Sequence, residues 1–555
     1  MVDHPRLDAY HFYEQEWDSY DDLYEEFDWE VPSKFNIASY VCDRWAGETD
    51  RVAINAETYQ GESRKVTFSD LYRRSNQLAN YLHERGLTQG DRIAVCGSQQ
   101  PESIVGHLAT WKIGAVSVPM SALFGTHGLK YRLNDSGAKA CVADSPMLDT
   151  FSEIYSEIDD LNVVLSVDER QTEDDLGAIT LDEALSDAAE TCETAETSPS
   201  DAATIIYTSG TTDEPKGVVH AHKYLLGLLP QYVTIHLNMD LRGGELYYTP
   251  VEWAWVGSLF GGVFPGLFYG NGVVAYKSPT FEPMKTFELI DTYDIDTTLL
   301  PPTAVRKMAQ HEDPSYELDS IRAVVCGGEA VGESIYEWTE KVFDAPVHDG
   351  YGQTEATTLI GEVEALGVNK LGTMGKPSLG NDVDIFDPET LEPADAGEVG
   401  EIVVRHETSP ACFKKYWKLP EVTDEKIQDG WLLTEDLGKR DEEGYYVFVG
   451  RKDDVIISSG YRIGPEELED CLSGHEVVVD AGVIGIPHEE RGEVPKAFVV
   501  LAEGYEPRDS LVDTLTEFCK QRLALYKYPR EVEFVSELPK TPTGKIKRNA
   551  LTNEQ

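Results

Sequence analysis

The apolar run 203–206 leads directly into the stretch Tyr207-Thr208-Ser209-Gly210-Thr211-Thr212-Asp213-Glu214-Pro215-Lys216-Gly217. A strand that runs into a loop of small and hydroxyl residues, closed by a lysine, offers backbone N–H groups and a cation to phosphate oxygens. The loop departs from the common phosphate-loop pattern, because Pro215 replaces its second glycine and Gly217 replaces its Ser or Thr. The stretch therefore predicts a nucleotide-binding loop of another kind, with an ordinary Gly/Thr turn as the alternative interpretation.

More segments of interest follow along the chain. They are Asp349-Gly350-Tyr351-Gly352-Gln353-Thr354-Glu355, Thr434-Glu435-Asp436, Gly450-Arg451-Lys452-Asp453-Asp454, the segment 459–469 and Pro542-Thr543-Gly544-Lys545. With the loop 207–217 they resemble, in order, the motifs of the adenylate-forming enzymes, the superfamily of acyl-CoA synthetases, peptide-synthetase adenylation domains and firefly-type luciferases. The resemblance extends from about residue 40 to the C-terminus and is closest to medium-chain acyl-CoA synthetases.

The spacing of apolar residues predicts the fold class. Between residues 50 and 330, strand-like runs at 92–96, 116–119, 163–167, 203–207, 273–276, 297–300 and 323–326 alternate with helical patterns such as 69–85. This alternation indicates βαβ units and largely parallel sheets. After residue 380, short strands with turn signals indicate a β-rich subdomain, and after residue 450 helix (464–472) and strand (494–501) mix.

A chain of 555 residues is too long for one compact core, so at least two domains are expected. The resemblance implies an α/β protein with a large N-terminal domain (1–450) of parallel-rich α/β subdomains plus a β-rich subdomain, followed by a small, mobile α+β domain (451–555). Ligands in open α/β sheets bind beyond the carboxyl ends of the strands. We therefore expect the site at the loops that follow Tyr207 and Cys326.

The resemblance assigns an ATP site to several segments at once. Its residues are Thr208, Ser209, Gly210, Thr211, Thr212, Lys216, Gly328, Glu329, Asp349, Gly350, Tyr351, Gly352, Gln353, Thr354, Asp436 and Arg451. The loop 208–216 would wrap the β- and γ-phosphates, Thr354 would contact the α-phosphate and Glu355 would hold Mg²⁺. Asp436 would accept hydrogen bonds from both ribose hydroxyls, since a carboxylate has two acceptor oxygens.

Lys545 resembles the catalytic lysine of the family, which acts together with Thr354 and Glu355. As a point cation it would bridge the substrate carboxylate and the α-phosphate of ATP. The alternative is a tail lysine within a local basic cluster that includes Lys540 and Lys547.

A second set of residues is implied for the later steps of the reaction. Asp453 matches the hinge position, and Ser459, Gly460 and Arg462 lie in the segment that lines the CoA tunnel of related enzymes. A glycine there permits close approach of the pantetheine arm. The simpler interpretation is a turn before a helix that begins near Pro465, and the two interpretations are compatible.

The acyl pocket is the least specific part of the sequence. The aromatic stretch 247–276, which contains Trp255, fits an apolar pocket and a buried core equally well. Acetate-specific relatives resemble Trp-Trp-Gln-Thr-Glu where this chain has Tyr351-Gly352-Gln353-Thr354-Glu355. We therefore expect Gly352 to leave space for a short- to medium-chain or small aromatic acid, and Gly352→Trp to shift preference toward acetate.

The charge of the chain is unusual. Asp and Glu number 100 against 47 Lys and Arg, a formal net charge of −53. Self-repulsion of this size is relieved when salt shortens the screening length, which indicates the cytoplasm of an extreme halophile. The twelve carboxylates of segment 168–201 predict a solvated surface rather than a binding site. The charge argues against binding to nucleic acid or to anionic membranes, both of which need basic patches.

Eight cysteines are scattered without a C-x-x-C pair, which fits neither a zinc site nor a disulfide framework and suits a reducing compartment. No signal peptide and no apolar run of about eighteen residues is present, so we expect a soluble cytoplasmic protein. The expected partners are small molecules: a carboxylic acid, ATP and CoA. The sequence leaves open whether the protein is a monomer or a homodimer.

These features favour a ligase that makes acyl-CoA, AMP and pyrophosphate from an acid, ATP and CoA. A second hypothesis is an adenylating enzyme that loads a separate carrier protein, because no carrier-like segment follows Lys545. A luciferase-like oxygenase and a non-catalytic nucleotide sensor are further alternatives. The joint presence of Lys545, Asp436 and Glu355 argues against the sensor.

Overall fold

In the computed structural model of the chain, residues 4–168, 177–208, 214–311, 315–329, 331–459, 461–488, 491–502, 504–524, 526–540 and 546–552 are described. The first strands are β1 (Val52–Thr58), β2 (Ser63–Thr67), β3 (Arg92–Cys96), β4 (Val116–Met120), β5 (Ala138–Ala143), β6 (Val163–Ser166), β7 (Ile179–Thr180), β8 (Ala202–Tyr207) and β9 (Gly217–Ala221). They are followed by β10 (Leu246–Tyr248), β11 (Gly272–Lys277), β12 (Thr297–Leu299), β13 (Ala323–Gly327), β14 (Val347–Gln353), β15 (Ala356–Gly361) and β16 (Lys376–Pro377).

The remaining described strands fall into two groups. They are β17 (Val383–Phe386), β18 (Gly400–Arg405), β19 (Lys415–Tyr416), β20 (Ile427–Gln428), β21 (Trp431–Arg440) and β22 (Tyr446–Arg451). The last group is β23 (Ile456–Ser458), β24 (Tyr461–Ile463), β25 (Val478–His488), β26 (Gly492–Leu501) and β27 (Glu531–Val535).

Helices connect these strands. Those before residue 250 are α1 (Tyr20–Glu26), α2 (Ile37–Val41), α3 (Phe68–Glu84), α4 (Pro101–Lys112), α5 (Thr126–Ser136), α6 (Ser145–Ile154), α7 (Leu181–Ser186) and α8 (Leu229–Gln231). The others are α9 (Val256–Ser258), α10 (Phe264–Phe268), α11 (Pro283–Tyr293), α12 (Pro302–Met308), α13 (Glu333–Phe343), α14 (Pro420–Lys426), α15 (Pro465–Ser473), α16 (Asp509–Arg522) and α17 (Arg548–Thr552). Among the described helices, none is both long enough and apolar enough to cross a bilayer.

The strands of the described chain form two large sheets and two small ones. One large sheet has the order β16-β15-β14-β13-β12-β10-β11-β1-β2, and the other has the order β19-β9-β8-β4-β3-β5-β6-β7. Their central pairs are parallel, and antiparallel pairs occur only toward the edges. A small antiparallel sheet has the order β17-β18-β21-β20 with β22 beside β21.

The last small sheet, β24-β23-β26-β25 with β27 beside β26, packs against α15 and α16 and forms a C-terminal α+β unit. The predicted fold class of a large parallel-rich α/β part with a β-rich subdomain and a small C-terminal domain is confirmed. The seven predicted strands between residues 50 and 330 match the observed strands to within one residue at each end. The boundary at residue 450 stays a prediction.

Local sequence accounts for the ends of the elements. Thr67 caps α3, because its hydroxyl accepts from the backbone N–H of Asp70 while the Asp70 carboxylate accepts from that of Thr67. Gly86, just past the end of α3, has a φ of 85°, a conformation that glycine adopts without strain. In the acidic segment, α7 buries Leu181, Ala184 and Leu185, so the short amphipathic piece expected there is present.

The aromatic stretch 247–276 belongs mainly to the core. Phe260, Phe264 and Trp111 are completely buried, and the rings of Trp111 and Phe264 meet edge to face with centroids 4.8 Å apart. Such aromatic contacts pack the interior where the two large sheets meet. For these phenylalanines the core interpretation is confirmed over the pocket interpretation.

Candidate active site

The predicted phosphate loop connects the antiparallel strands β8 and β9. The backbone N–H of Thr208 donates to the carbonyl of Lys216 at 3.0 Å, and the N–H of Lys216 donates to Thr208 Oγ1 at 3.3 Å. The loop is therefore a hairpin loop closed at its base by these two residues. Ser209, Gly210, Thr211 and Thr212 lie outside the described residues.

Thr354 and Glu355 form the two-residue turn between β14 and β15. The hydroxyl of Tyr416 donates to Glu355 Oε1 at 2.6 Å. Tyr416 lies on β19, which pairs with β9 directly after the phosphate loop, and Lys216 Nζ lies 5.6 Å from the centroid of its ring. The fold therefore brings the loop lysine and the turn carboxylate to the same tyrosine.

Tyr416 is a site residue that the sequence analysis missed. Burial, followed by the charge of Glu355, raises the pKa of its phenol, so the hydroxyl stays protonated and remains a donor to the carboxylate at neutral pH. The segment around it carries no motif, and its partner is 61 residues away in the chain. Only the pairing of β19 with β9 places it in the site.

The predicted ribose carboxylate lies at the centre of a hydrogen-bonded group. Tyr351 Oη donates to Asp436 Oδ2 at 2.7 Å, and Gln353 Nε2 donates to the same oxygen at 3.2 Å. Arg451 lies opposite Asp436 on the adjacent strand, with Nε 3.9 Å from Oδ1. These contacts fix the orientation of the carboxylate.

Within the predicted ATP site, the resemblance implies that Gly328, Glu329, Asp349, Gly350 and Tyr351 form the walls of the adenine pocket, and these residues lie just after β13 and within β14. Gly327 lies opposite Gly350, and a Cβ at Gly327 would lie 2.5 Å from the Gly350 carbonyl oxygen, so the two strands approach too closely for a side chain there. Gly328 has a φ of 82°, and the Glu329 carboxylate lies 3.5 Å from the guanidinium of Arg306. The residues expected to enclose the base are therefore neighbours.

Asp349 is a strongly perturbed member of this wall. Burial and the adjacent carboxylate of Glu362 raise its pKa well above the usual range. Glu362 Oε2 accepts the backbone N–H of Asp349 at 3.0 Å and the hydroxyl of Tyr336 at 2.7 Å. A protonated Asp349 would be a hydrogen-bond donor, which suits the acceptor nitrogens of a purine.

Helix α15 of the C-terminal unit faces this site with carboxylates. Burial raises the pKa of Glu466 to about 7, although Arg548 lowers it, and the charge of Asp436 contributes to the rise. Burial likewise raises the pKa of Asp470 to about 7 against the lowering effect of Arg306. The C-terminal unit is thus close enough to the nucleotide site to respond to its charges.

The predicted hinge residue Asp453 and the predicted CoA residue Ser459 lie on either side of the short strand β23. Asp453 Oδ1 is 3.4 Å from Arg451 Nε. Ser459 has a φ of 51° in the turn between β23 and β24, and its N–H donates to the Arg491 carbonyl at 2.8 Å. The turn interpretation of this segment is therefore confirmed, and the CoA assignment stays a prediction. Gly460, the side chain of Arg462 and all of Lys545 lie outside the described residues.

Among the described residues, no contact joins the two predicted acyl-pocket residues, Trp255 and Gly352. Trp255 is half-buried at the start of α9, with its ring edge to face against Phe124 at 6.1 Å. Gly352 is exposed in β14, and a Cβ built on it would overlap the backbone nitrogen of Thr358 in β15. A side chain at this position would meet the hairpin's own backbone, and the expectation that Gly352 leaves space for substrate methylenes stays a prediction.

Gly352→Ala is therefore expected to lower the free energy of unfolding by about 1–3 kcal/mol, the usual cost of overpacking. The loss of activity should be the same for every acid tested, because the damage is to the hairpin. Thermal unfolding and rates with a short and a long acid measure both effects. Gly350→Ala is the matched control for stability, since its Cβ would make ordinary contacts at 3.8 Å. A new preference for acetate in a stable Gly352→Trp protein would support the interpretation that Gly352 lines the acyl pocket.

Comparison with known sequences identifies the family. Residues 42–417 match the profile of the AMP-binding enzymes, and residues 467–545 match that of the AMP-binding enzyme C-terminal domain. The chain belongs to the AMP-binding enzyme family. It is 34% identical over 530 residues to the uncharacterized acyl–CoA ligase YtcI of Bacillus subtilis, covering 95% of this chain and 97% of the relative. It is 35% identical over 540 residues to the human mitochondrial acyl-coenzyme A synthetase ACSM4, covering 95% and 91%. This member of the family is an enzyme of the acyl-CoA synthetase class.

Solved structures of AMP-binding enzymes share the whole architecture. The anthranilate CoA ligase AuaEII in complex with anthranoyl-AMP superposes with a TM-score of 0.86 at 26% identity, covering 94% of this chain and 98% of that one. A benzoate CoA ligase from Burkholderia xenovorans LB400 gives a TM-score of 0.80 at 26% identity, covering 93% and 99%. Both chains are matched over nearly their full lengths, so the similarity includes the C-terminal unit.

Proposed function

We propose that this enzyme is an AMP-forming acid:CoA ligase that activates a short- to medium-chain fatty acid or a small aromatic acid. The observation that carries the proposal is the fixed carboxylate of Asp436, held by Tyr351, Gln353 and Arg451 beside the turn that bears Glu355. A vicinal diol is the natural ligand of such a carboxylate. With the ribose there, the phosphates of ATP would extend toward Thr354 and Lys216.

In the first step, a carboxylate oxygen of the acid attacks the α-phosphorus of ATP, and the bond to the β-phosphate oxygen breaks, so that pyrophosphate leaves. Both reactants are anions, and the enzyme must offset their repulsion in the transition state. We propose that Lys216 and the loop N–H groups bind the β- and γ-phosphates. Lys545 would lie between the acid and the α-phosphate.

In the second step, the CoA sulfur attacks the acyl carbon, its proton is lost to solvent or a base, and the bond between that carbon and the phosphate oxygen of AMP breaks. Acyl-adenylates hydrolyse readily, so water must be kept out between the steps. A rotation of the C-terminal unit about Asp453 would withdraw Lys545 and admit the thiol beside Ser459, Gly460 and Arg462.

A magnesium ion fits the site only together with the nucleotide. Among the described residues, no group of three or more His, Cys, Asp or Glu could hold a metal by itself. Mg²⁺ is usually bound by one or two carboxylates plus substrate phosphates, and Glu355 offers a carboxylate beside the phosphate loop. When bound, the ion would neutralise charge on the phosphates and orient them.

If Tyr416 positions Glu355 for this role, Tyr416→Phe should raise the Mg²⁺ concentration required for half-maximal rate by about 10-fold. A hydrogen bond to a charged group contributes about 1.5–3 kcal/mol, and its loss frees the carboxylate to rotate. Initial rates across a Mg²⁺ series at saturating ATP measure the shift, and excess Mg²⁺ should rescue most of the rate.

Tyr224→Phe is the matched control for this variant. Tyr224 is completely buried and hydrogen-bonds the hydroxyl of Thr357 in the same hairpin, whereas its described hydrogen bonds include none to Glu355. It should cost stability without changing the Mg²⁺ dependence. An unchanged Mg²⁺ dependence in Tyr416→Phe would show that the tyrosine is only structural.

The nature of the acid is supported by the relatives rather than by the pocket. The similar solved enzymes include one named for anthranilate and one named for benzoate, and the curated relatives include ACSM enzymes. Trp255 and Phe124 supply an apolar edge-to-face surface near the carboxyl end of β4. These observations support an apolar acid larger than acetate.

Pyrophosphate release with Mg-ATP, measured across acids from acetate to decanoate plus benzoate and with and without CoA, tests the proposal. We expect release that increases with CoA and a thioester product with one class of acid. Adenylate formation that is indifferent to CoA would instead favour the loading of a carrier protein. No release with any acid would contradict the proposal.

We also propose that the enzyme functions in concentrated salt, because a formal charge of −53 repels itself in dilute buffer. Unfolding temperature and activity should both rise with KCl up to roughly molar concentration. Circular dichroism melts in a KCl series measure this, with sucrose of matched osmolarity as control. Full stability in dilute buffer would contradict it.

All eight cysteines are free thiols, which supports a reducing, cytoplasmic location.

A further inference from the structure

A cavity of about 890 Å³ lies away from the proposed nucleotide site. Its lining includes Arg51, which directly precedes β1, Arg242, which lies before β10, and Tyr269, which lies before β11. These three strands run parallel in the nine-stranded sheet, so the cavity is at their amino-terminal ends. The predicted adenine wall lies toward the carboxyl ends of β13 and β14, which run in the same direction as β10. The cavity and the proposed nucleotide site are therefore at opposite ends of the parallel strands.

The ionisable side chains of this cavity differ from the rest of the molecule. Four arginines (Arg6, Arg44, Arg51 and Arg242) and two histidines line it, against one carboxylate, that of Glu14. The whole chain has about two carboxylates for each Lys or Arg, 100 against 47. A concentration of cations in so acidic a protein marks this cavity as suited to an anion.

Three of the four arginines have carboxylate partners at the rim. Arg6 pairs with Glu14 and with Asp8 at 2.9 Å, Arg51 pairs with Glu48 at 2.8 Å, and Arg242 pairs with Asp240. Arg6 and Arg242 keep half or more of their side-chain surface exposed, at 51% and 69%. Exposed pairs of this kind are weak and can rearrange to bind another anion.

Arg44 has no such carboxylate. Its Nη2 donates to the carbonyl of Phe268, and its guanidinium lies 4.1 Å from the Phe268 ring centroid and 4.8 Å from that of Trp45. Burial lowers its pKa to about 10, against the smaller raising effect of the phenols of nearby tyrosines. Within the described part of the chain, Arg44 Nε and Trp45 Nε1 are buried without an acceptor. A buried cation without a counter-charge is costly, and a bound anion would remove that cost.

We propose that this cavity binds a small molecule that carries two or more phosphate groups, as an effector site separate from catalysis. The arginine fork matches phosphate oxygens in pairs, which makes it the side chain of choice for phosphate recognition. The volume lies within the range of small-molecule sites and admits a ligand the size of a nucleotide. The ligand would link the N-terminal segment around Arg6 with the loop before β10.

Isothermal titration calorimetry with sodium tripolyphosphate as the probe, without Mg²⁺ and at fixed ionic strength, tests the site. Lys216→Ala serves as the background protein, so that binding at the phosphate loop is weakened. In that background we expect tripolyphosphate to bind, and the double variant Arg6→Gln/Arg242→Gln to weaken binding at least 10-fold. These two side chains are exposed, so the double variant should fold, which its melting temperature will show.

Arg85→Gln, which removes an exposed arginine outside the cavity, is the matched control and should leave the affinity unchanged. Arg44→Gln should abolish binding if the variant remains folded. A second titration with ATP distinguishes two kinds of ligand. Tighter binding of ATP than of tripolyphosphate indicates a nucleotide, and equal binding of the two indicates an inorganic oligophosphate. Absence of binding in the Lys216→Ala background, or binding that the double variant leaves unchanged, would overturn the proposal.

Discussion

Replacement of Lys545 by alanine is expected to slow acyl-adenylate formation by about 10²–10³-fold, the usual effect of removing one group that stabilises charge in a transition state. The flanks of this lysine are well anchored. Lys540 and Ile546 form a bridge, the N–H of Lys547 donates to the Pro539 carbonyl at 2.8 Å, and Arg548 pairs with Glu469 at 2.8 Å. Arg548, three residues after Lys545 in the chain, is therefore held to helix α15.

The two half-reactions distinguish this role from a structural one. Thioester formation from a synthetic acyl-adenylate and CoA should proceed at near the normal rate in Lys545→Ala, because the lysine is proposed to act only in the first step. Pyrophosphate release measures that first step. Lys547 is an exposed lysine two residues away, and Lys547→Ala is the control, which should change the rate of neither half-reaction. An equal loss in both half-reactions would refute the assigned role.

Asp436→Ala is expected to raise the KM for ATP by about 10²-fold, with a smaller effect on the KM for the acid. Two hydrogen bonds from the ribose to a charged group are lost, each of about 1.5–3 kcal/mol. The variant also leaves Tyr351 and Gln353 without their shared acceptor, so some loss of stability should accompany it.

Initial rates over an ATP series at saturating acid measure this effect. Asp436→Asn keeps one acceptor oxygen, so its KM for ATP should lie between that of the unmodified enzyme and that of Asp436→Ala. Asp384→Ala removes another carboxylate–arginine pair of the same sheet, 3.2 Å from Arg440, and should leave the KM for ATP unchanged. If Asp436→Ala had no effect on that KM, Asp436 could not be the ribose ligand.

Much of the fold was predictable because buried parallel strands appear in the sequence as continuous apolar runs. β3 and β8, each buried between layers, were predicted to within one residue. Tyr351, Gln353, Asp436 and Arg451 could be named from the sequence, because they lie in motifs, and their role at the ribose stays a prediction. What the motifs could not show is that Tyr351 and Gln353 both donate to one oxygen of Asp436, with Arg451 near the other.

The contacts that sequence analysis missed depend on long-range pairing. Tyr416 reaches Glu355 only because the two-residue strand β19 pairs with β9, about 200 residues earlier in the chain. The close approach at Gly352 has a local cause: the direction of an absent Cβ depends on the register of the β14–β15 hairpin, which the sequence does not state. Both are properties of backbone geometry rather than of residue type.

The arginine cavity is the clearest case of a feature hidden in the sequence. Arg6, Arg44, Arg51 and Arg242 are dispersed among acidic segments, and no local window is basic. They converge because the N-terminal segment packs against the starts of β1, β10 and β11. A global charge argument against anionic partners therefore does not apply to this one site.

The central claim is that the enzyme joins the acid to the α-phosphate of ATP, and an oxygen-18 label on both carboxyl oxygens of the acid tests it most directly. One labelled oxygen should pass to the phosphate when AMP leaves the acyl carbon. Mass spectrometry of the nucleotide after turnover with CoA should therefore find AMP that carries one labelled oxygen, in amounts equal to the thioester. Label in inorganic phosphate together with ADP, or AMP without label, would contradict the account.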